Sequence, residues 1–307
     1  IRICIICISM DVMYQDYLSS SVIKKINNIA LRAKLVVEGF IIGLHKSPYH
    51  GFSVEFSEHR PYSFGDEIKY IDWKLLAKTD KLYIKQFEEE TNLNCHILFD
   101  TSASMKYGST EIKKFDYAQT LCASLSYMMI KQQDAVGLTT FDATINTSIP
   151  PKSRPSHLNI LLNTLHNSKV QGETKISNVL HSLAESLKKR GLIILISDLF
   201  DEQEDVIKGL RHFRYKGHEI IVFHIMDDKE ISLDFDESIN FIDLEDNEAI
   251  KTDPRQIKSA YQKAYSDFCN QYKIECRKNN IDYVPVNTSD SLDKSLIEYL
   301  IKRTKVI

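Results

Sequence analysis

The chain contains short, mostly apolar runs that end abruptly in an acid and in hydroxyl residues. The first run spans residues 95–99 and leads directly into Asp100-Thr101-Ser102-Ala103-Ser104. A second run, residues 192–196, ends in the same way on Ser197 and Asp198. Near-continuous apolar runs of this length are typical of strands that are buried on both faces of a parallel sheet. These runs therefore favour a parallel sheet whose strands carry polar residues at their carboxyl ends.

Helical and strand patterns alternate along most of the chain. Apolar residues recur at intervals of three and four in the segments 16–43, 113–132, 158–165, 176–187, 206–213, 257–272 and 292–300, which predicts helices. Strand patterns lie at 135–141, 145–149, 219–226 and 281–286, and residues 227–246 fit a hairpin or a loop. This alternation predicts an α/β fold with a doubly wound, mostly parallel sheet and helices on both faces.

We expect three parts along the chain. Residues 1–43 comprise an apolar leader and an amphipathic helix, residues 44–91 a small β-rich segment, and residues 92–307 the main domain. In the β-rich segment, residues 54–57 and 82–87 alternate like strands, and residues 59–66 are predicted to form a loop.

Trp73, the only tryptophan, lies between Asp72 and Lys74. It either docks a partner or anchors this segment on the core.

The composition argues against several classes of protein. The chain has 39 basic and 42 acidic side chains, so it has no charge excess suited to nucleic acid. The apolar leader is far shorter than the roughly 20 residues that span a bilayer, and we expect translation to start at Met10. Cys4 and Cys7 are spaced as CxxC without a second pair, so zinc is not expected. The six cysteines fit free thiols in a reducing cytoplasm.

Oxygen-bearing side chains cluster where the predicted strands end. In an extended chain, Asp100, Ser102 and Ser104 point to the same side. Asp198 follows the second strand, and Thr174 lies in a loop just before a helix. The carboxyl ends of parallel strands meet at one sheet edge, and oxygen ligands with few carboxylates favour Mg²⁺ over Ca²⁺. The alternative is that these residues are turn formers and helix caps.

The same residues resemble a known site. Asp100-Thr101-Ser102-Ala103-Ser104, with Thr174 and Asp198, is similar to the metal-ion-dependent adhesion site of von Willebrand factor type A domains. The stretches Arg60-Pro61-Tyr62-Ser63-Phe64-Gly65-Asp66, Ile71-Asp72-Trp73-Lys74 and Lys85-Gln86-Phe87-Glu88-Glu89-Glu90 resemble the signature of the prokaryotic family known as domain of unknown function 58. The resemblance runs from residue 44 to the C-terminus and implies a von Willebrand factor type A-like domain.

The resemblance carries functional implications. It implies that Asp100, Ser102, Ser104, Thr174 and Asp198 hold a metal ion directly or through water, with Mg²⁺ as the first choice and Mn²⁺ or Ca²⁺ as alternatives. It also implies a chaperone-like assembly role beside a MoxR-type AAA+ ATPase, and it assigns no catalytic residue. We therefore expect a non-enzymatic, cytoplasmic interaction module whose bound cation takes an acidic side chain from a partner protein.

The rival function is a metal-dependent phosphohydrolase that uses Asp100 and Asp198. Haloacid-dehalogenase-like enzymes also place an acid after the first strand, but they need a second acid two residues later, where this chain has Ser102. The sequence contains no P-loop, no GxSxG and no HExxH motif. These absences favour the interaction module.

Overall fold

The computed structural model describes residues 28–46, 59–61, 82–85, 93–172, 175–235, 239–242 and 249–303. The chain forms two compact units. The larger unit consists of Ile1–Phe40 together with Leu93–Ile307, and the smaller unit consists of Ile41–Asn92. The larger unit contains the main sheet, and the smaller unit contains a two-stranded sheet.

In the smaller unit, strand β1 (His59–Pro61) pairs antiparallel with β2 (Tyr83–Lys85). The predicted strand at 82–87 thus includes β2, whereas the prediction of a loop was wrong for residues 59–61. Pro61 suggested the loop because proline lacks an N–H, but it lies opposite Tyr83 at the end of a two-stranded sheet, where a missing donor is tolerated. The predicted strand at 54–57 and the Asp72-Trp73-Lys74 motif lie outside the described residues.

The main sheet has six strands in the order β10-β7-β6-β3-β4-β5. Their bounds are β3 (Asn94–Asp100), β4 (Ala135–Phe141), β5 (Ile145–Lys152), β6 (Leu192–Ser197), β7 (Glu219–Met226) and β10 (Asp282–Asn287). All neighbours pair in parallel except β5, which is antiparallel to β4. This topology confirms the predicted α/β fold with a mostly parallel sheet.

The helices of the described residues alternate with these strands. They are α1 (Ile29–Lys46), α2 (Lys114–Lys131), α3 (Pro155–Asn167), α4 (Ile176–Ser186), α5 (Gln203–Tyr215), α6 (Asp228–Ser232), α7 (Pro254–Lys278) and α8 (Leu292–Arg303). All but α6 match a predicted helix, although α1 continues past Gly43 and residues 16–27 lie outside the described part. The segment predicted as a hairpin or a loop forms α6 and then β8 (Ile239–Ile242), which pairs antiparallel with β9 (Ala249–Thr252).

Apolar packing on both faces holds the sheet in place. On one face, Leu180 of α4 and Leu210 of α5 join Leu195 of β6 in a fully buried cluster. Helix α2 is buried along most of its length, and the ring of its Phe115 lies 5.4 Å from the ring of Phe99 on β3. The central strands therefore contact side chains on both faces, which explains their predominantly apolar sequences.

Strand β5 is longer than predicted. The sequence pattern ended it at residue 149 because Pro150 and Pro151 follow, but the strand continues to Lys152. It lies at the edge of the sheet, and its pairing with β4 shifts register between Val136 and Leu138. An edge position tolerates prolines because one side of the strand has no neighbour to receive an N–H.

A partly buried histidine, His96, predicts how stability depends on pH. Burial, aided by His218, lowers the pKa of His96 on β3 to about 4 from its ordinary 6.5. Between these pH values the unfolded chain binds a proton that the folded chain does not, so the free energy of unfolding falls as the pH decreases from 6.5 to 4. We expect His96→Gln to reduce that fall by on the order of 2 kcal/mol.

Urea denaturation at pH 7 and pH 5 measures this effect. The matched control is His166→Gln, which alters an exposed histidine of α3 and should leave the pH dependence unchanged. Equal pH dependence in His96→Gln and in the wild-type protein would contradict the prediction.

Candidate metal centre

Asp100, the last residue of β3, lies at the middle of the polar cluster and is fully buried. One carboxylate oxygen, Oδ1, accepts the backbone N–H of Ser102 at 2.8 Å, and the other, Oδ2, accepts the hydroxyl of Ser197 at 2.5 Å. Burial, followed by the nearby charge of Asp198, raises the pKa of Asp100 to about 7. A cation between these carboxylates would relieve that unfavourable environment.

The two predicted serine ligands lie next to Asp100. Ser102 is fully buried, and Ser104 is in a short 3-10 helix, Ala103–Lys106. Their hydroxyl oxygens are 3.0 Å apart. The structure therefore brings together the acid and both serine hydroxyl groups of the Asp100-Thr101-Ser102-Ala103-Ser104 segment.

Residues 171–172, which precede Thr174 in the sequence, are held against this segment, whereas Thr174 itself lies outside the described residues. The backbone N–H of Gln171 donates to the carbonyl of Thr101 at 3.0 Å, and the N–H of Ala103 donates to the carbonyl of Gly172 at 3.1 Å. Gly172 has a φ of 85°, which favours glycine, and a Cβ there would lie 3.1 Å from the carboxylate of Asp142. Residues 171–172 thus approach the cluster from a second loop.

Asp198 reaches the same edge from β6. Strands β3 and β6 pair in parallel with Phe99 opposite Ile196, so Asp100 and Ser197 are the next residues on neighbouring strands. Asp198 follows Ser197 and is fully buried. The described members of the predicted set, Asp100, Ser102, Ser104 and Asp198, therefore form one cluster, which we call the candidate centre.

Lys114 is a member of this region that the sequence prediction missed. It is the first residue of α2 and is fully buried, and its ammonium nitrogen Nζ lies 2.8 Å from Asp198 Oδ2 and 2.6 Å from Glu230 Oε1. Burial alone would lower the pKa of Lys114, but Asp198 and Glu230 outweigh it, and the pKa lies above its ordinary value. A pattern in the sequence points to this burial, because Lys114 precedes Ala118 by one helical turn on the apolar face of α2.

Glu230 links Lys114 to the short helix α6. Its second oxygen, Oε2, accepts the backbone N–H of Asp227 at 3.2 Å, and Asp227 Oδ1 accepts the N–H of Lys229 at 2.9 Å. The bond from Asp227 N–H to Glu230, together with a bond from the backbone N–H of Glu230 to the side chain of Asp227, forms a capping box at the start of α6. Burial raises the pKa of Glu230, while Lys114 acts in the opposite direction.

The donors of the candidate centre fit a hard cation. Two buried carboxylates and two neutral hydroxyls supply oxygen only, as Mg²⁺ prefers. Across the described residues, no three His, Cys, Asp or Glu side chains converge as a metal-binding group. A cation at this edge would therefore depend on the serine hydroxyls as well as on Asp100 and Asp198.

Comparison with known proteins identifies the family. Residues 58–270 match the family described as "Protein of unknown function DUF58". Because the match covers most of the 307 residues, this protein belongs to that family. The resemblance to the domain of unknown function 58 family, which was expected from the sequence signature, is thereby confirmed.

The similar proteins are distant in sequence. Uncharacterized protein Rv1480 of Mycobacterium tuberculosis strain H37Rv is 22% identical over 215 residues, which cover 68% of this chain and 66% of the relative. The chain thus spans about two thirds of the length of that relative. Uncharacterized protein Mb1516 of Mycobacterium bovis shows the same identity and coverage.

Two solved structures are similar to part of this chain. The conserved hypothetical protein BatB of Bacteroides thetaiotaomicron has a TM-score of 0.48 and 17% identity, covering 69% of this chain and 99% of that one. The SpRpn10 VWA domain has a TM-score of 0.38 and 14% identity, covering 67% of this chain and 94% of that one.

No helix within the described residues is long and apolar enough to cross a membrane.

Removing the ammonium of Lys114 should destabilise the protein. Lys114→Met leaves Asp198 and Glu230 close together without their shared counter-ion, and loss of one partner of a buried ion pair costs about 3–5 kcal/mol. We expect the double variant Lys114→Met/Glu230→Gln to recover part of the lost free energy of unfolding, because it also removes one of the two carboxylate charges that are left without a counter-ion. Urea denaturation measures both values, and a single variant as stable as the wild-type protein would contradict the prediction.

Proposed function

We propose that this protein is a non-enzymatic interaction module that holds a divalent cation at Asp100, Ser102, Ser104, Thr174 and Asp198. A carboxylate of a partner protein completes the coordination of that cation. The observation that carries this proposal is the convergence of two buried carboxylates, from the ends of neighbouring strands, with two serine hydroxyls 3.0 Å apart.

The donor set leaves room for a partner. Mg²⁺ takes six oxygen ligands and keeps several waters when it is bound by one or two carboxylates. Hydroxyl ligands are neutral, so Asp100 and Asp198 supply all of the negative charge in the proposed set. An aspartate or a glutamate from another protein can replace one water and add favourable charge. Mn²⁺ and Ca²⁺ are the alternative cations, although Ca²⁺ usually takes more carboxylate ligands.

The partner is proposed from the family resemblance. That resemblance supports a MoxR-type AAA+ ATPase, with this protein in a chaperone-like or assembly role. We place the interaction in the cytoplasm, because Cys95, Cys122 and Cys276 are buried free thiols, as in proteins of a reducing compartment. Cys269 is also free but only partly buried, and Cys4 and Cys7 lie outside the described residues.

Cation binding is the first testable consequence. We expect the wild-type protein to bind Mg²⁺ in isothermal titration calorimetry and Asp100→Asn to lose that binding, because the substitution removes one of the two charged ligands while conserving shape. Asp205→Asn is the matched control, since it removes an exposed carboxylate on α5. Undiminished Mg²⁺ binding by Asp100→Asn would defeat the proposal.

Partner capture is the second consequence. A purified MoxR-type ATPase from the same organism should be retained by the immobilised protein in Mg²⁺ and released in EDTA, and Asp100→Ala should abolish retention. Equal capture under all of these conditions would overturn a cation-dependent interaction. Turnover of p-nitrophenyl phosphate by the purified protein, abolished by Asp100→Asn, would instead support the rival phosphohydrolase.

A further inference from the structure

The buried ammonium of Lys114 connects the candidate centre to a helix outside it. Lys114 is fully buried, and its nitrogen lies between Asp198 of the centre, at 2.8 Å, and Glu230 of α6, at 2.6 Å. The ring centroid of Phe200 is 4.8 Å from this nitrogen, and that of Tyr107 is 5.8 Å away. Aromatic walls exclude water, so the charges act on one another more strongly than they would at a surface.

We infer that Lys114 is a resident cation of the centre and that Glu230, which is not among the proposed ligands, sets the affinity of the centre for a divalent ion. The inference rests on the proposed function, because it concerns the regulation of the same centre. Lys114 competes for the negative charge of Asp198, and Glu230 weakens that competition by sharing the ammonium.

The two oxygens of Asp198 have different surroundings, which allows this competition. Oδ2 is bound by Lys114, whereas from the described part of the chain Oδ1 accepts only a long contact of 3.5 Å from the backbone N–H of Phe200. Oδ1 is therefore the oxygen available to a divalent ion or to its bound water. Lys114 and the ion would both lie next to the carboxylate of Asp198. The ammonium therefore repels the ion, and little water lies between them to screen this repulsion.

Glu230 balances the ammonium from the other side. With Glu230 ionised, the Lys114–Glu230 pair is close to neutral, and Asp198 keeps most of its attraction for a cation. Without the charge of Glu230, the full ammonium charge faces Asp198. Glu230 also accepts the N–H of Asp227 in the capping box of α6, so a shift of Lys114 toward Glu230 tightens the start of that helix.

Binding and helix order must then influence each other. If a divalent ion draws Asp198 away from Lys114, the ammonium binds Glu230 more strongly and stabilises α6. Linkage makes this effect reciprocal. If the cation strengthens a partner's contact with α6 and Glu230 by some factor, that contact raises the affinity for the cation by the same factor. A partner that touches α6 would thereby strengthen the cation site without reaching it.

The experiment is a Mg²⁺ titration of the full chain by isothermal titration calorimetry. We expect Glu230→Gln to weaken Mg²⁺ binding on the order of tenfold. The double variant Lys114→Met/Glu230→Gln should bind at least tenfold more tightly than Glu230→Gln, because the competing ammonium is gone. Asp205→Asn, the matched control for the loss of one acidic charge, should stay close to the wild-type affinity, since its partner Lys208 is exposed.

The outcomes separate this inference from the proposed function. If the wild-type protein binds Mg²⁺ but Glu230→Gln behaves like Asp205→Asn, the inference fails and the proposed cation site stands. If the wild-type protein binds no Mg²⁺, both fail. Should the double variant not fold, the Mg²⁺ affinity of Glu230→Gln and hydrogen exchange at α6 decide the question. The amides of residues 229–232 should gain protection with Mg²⁺ in the wild-type protein and not in Glu230→Gln.

Discussion

The parallel pairing of β3 with β6 is the constraint on which the candidate centre depends. It sets Phe99 opposite Ile196, and the next residues along, Asp100 and Ser197, then meet in a hydrogen bond of 2.5 Å. A slip of one residue would turn the carboxylate of Asp100 to the other face of the sheet. The apolar cluster on one face of these strands, which includes Leu98 and Leu195, makes such a slip unfavourable because its closely packed side chains would no longer fit their neighbours. The polar chemistry at the strand ends is therefore positioned by hydrophobic packing.

The predictions that succeeded depend on local patterns, and those that failed depend on distant partners. Apolar strands and amphipathic helices can be recognised from a few consecutive residues. The predicted bounds of β6 and β7 are therefore within one residue of the observed bounds. The position of Asp100 and Asp198 at one edge of the sheet could be predicted because polar residues after buried strands share an edge in a parallel sheet. Lys114 was missed because its two partners lie 84 and 116 residues away. A lysine at the start of an amphipathic helix gives no local sign of the carboxylates that it will meet.

Proline explains the misplaced boundaries. Pro61, Pro150 and Pro151 all suggested that a strand was absent or finished, yet each lies within a strand. The rule that proline interrupts strands concerns pairing on both sides, and the sequence does not reveal which strands will have only one neighbour. Helix α6 was not predicted because its five residues are too few for a helical period, and it is stabilised by the Asp227–Glu230 capping box.

The same prolines have a consequence for how the molecule can associate. The main sheet ends in β10 on one side and β5 on the other, and β10 contains Pro285 while β5 contains Pro150 and Pro151. An exposed edge strand normally offers a row of N–H donors to which a strand of another chain can add. Proline breaks that row at both edges of this sheet. Edge-to-edge polymerisation is thus disfavoured at both margins of the sheet.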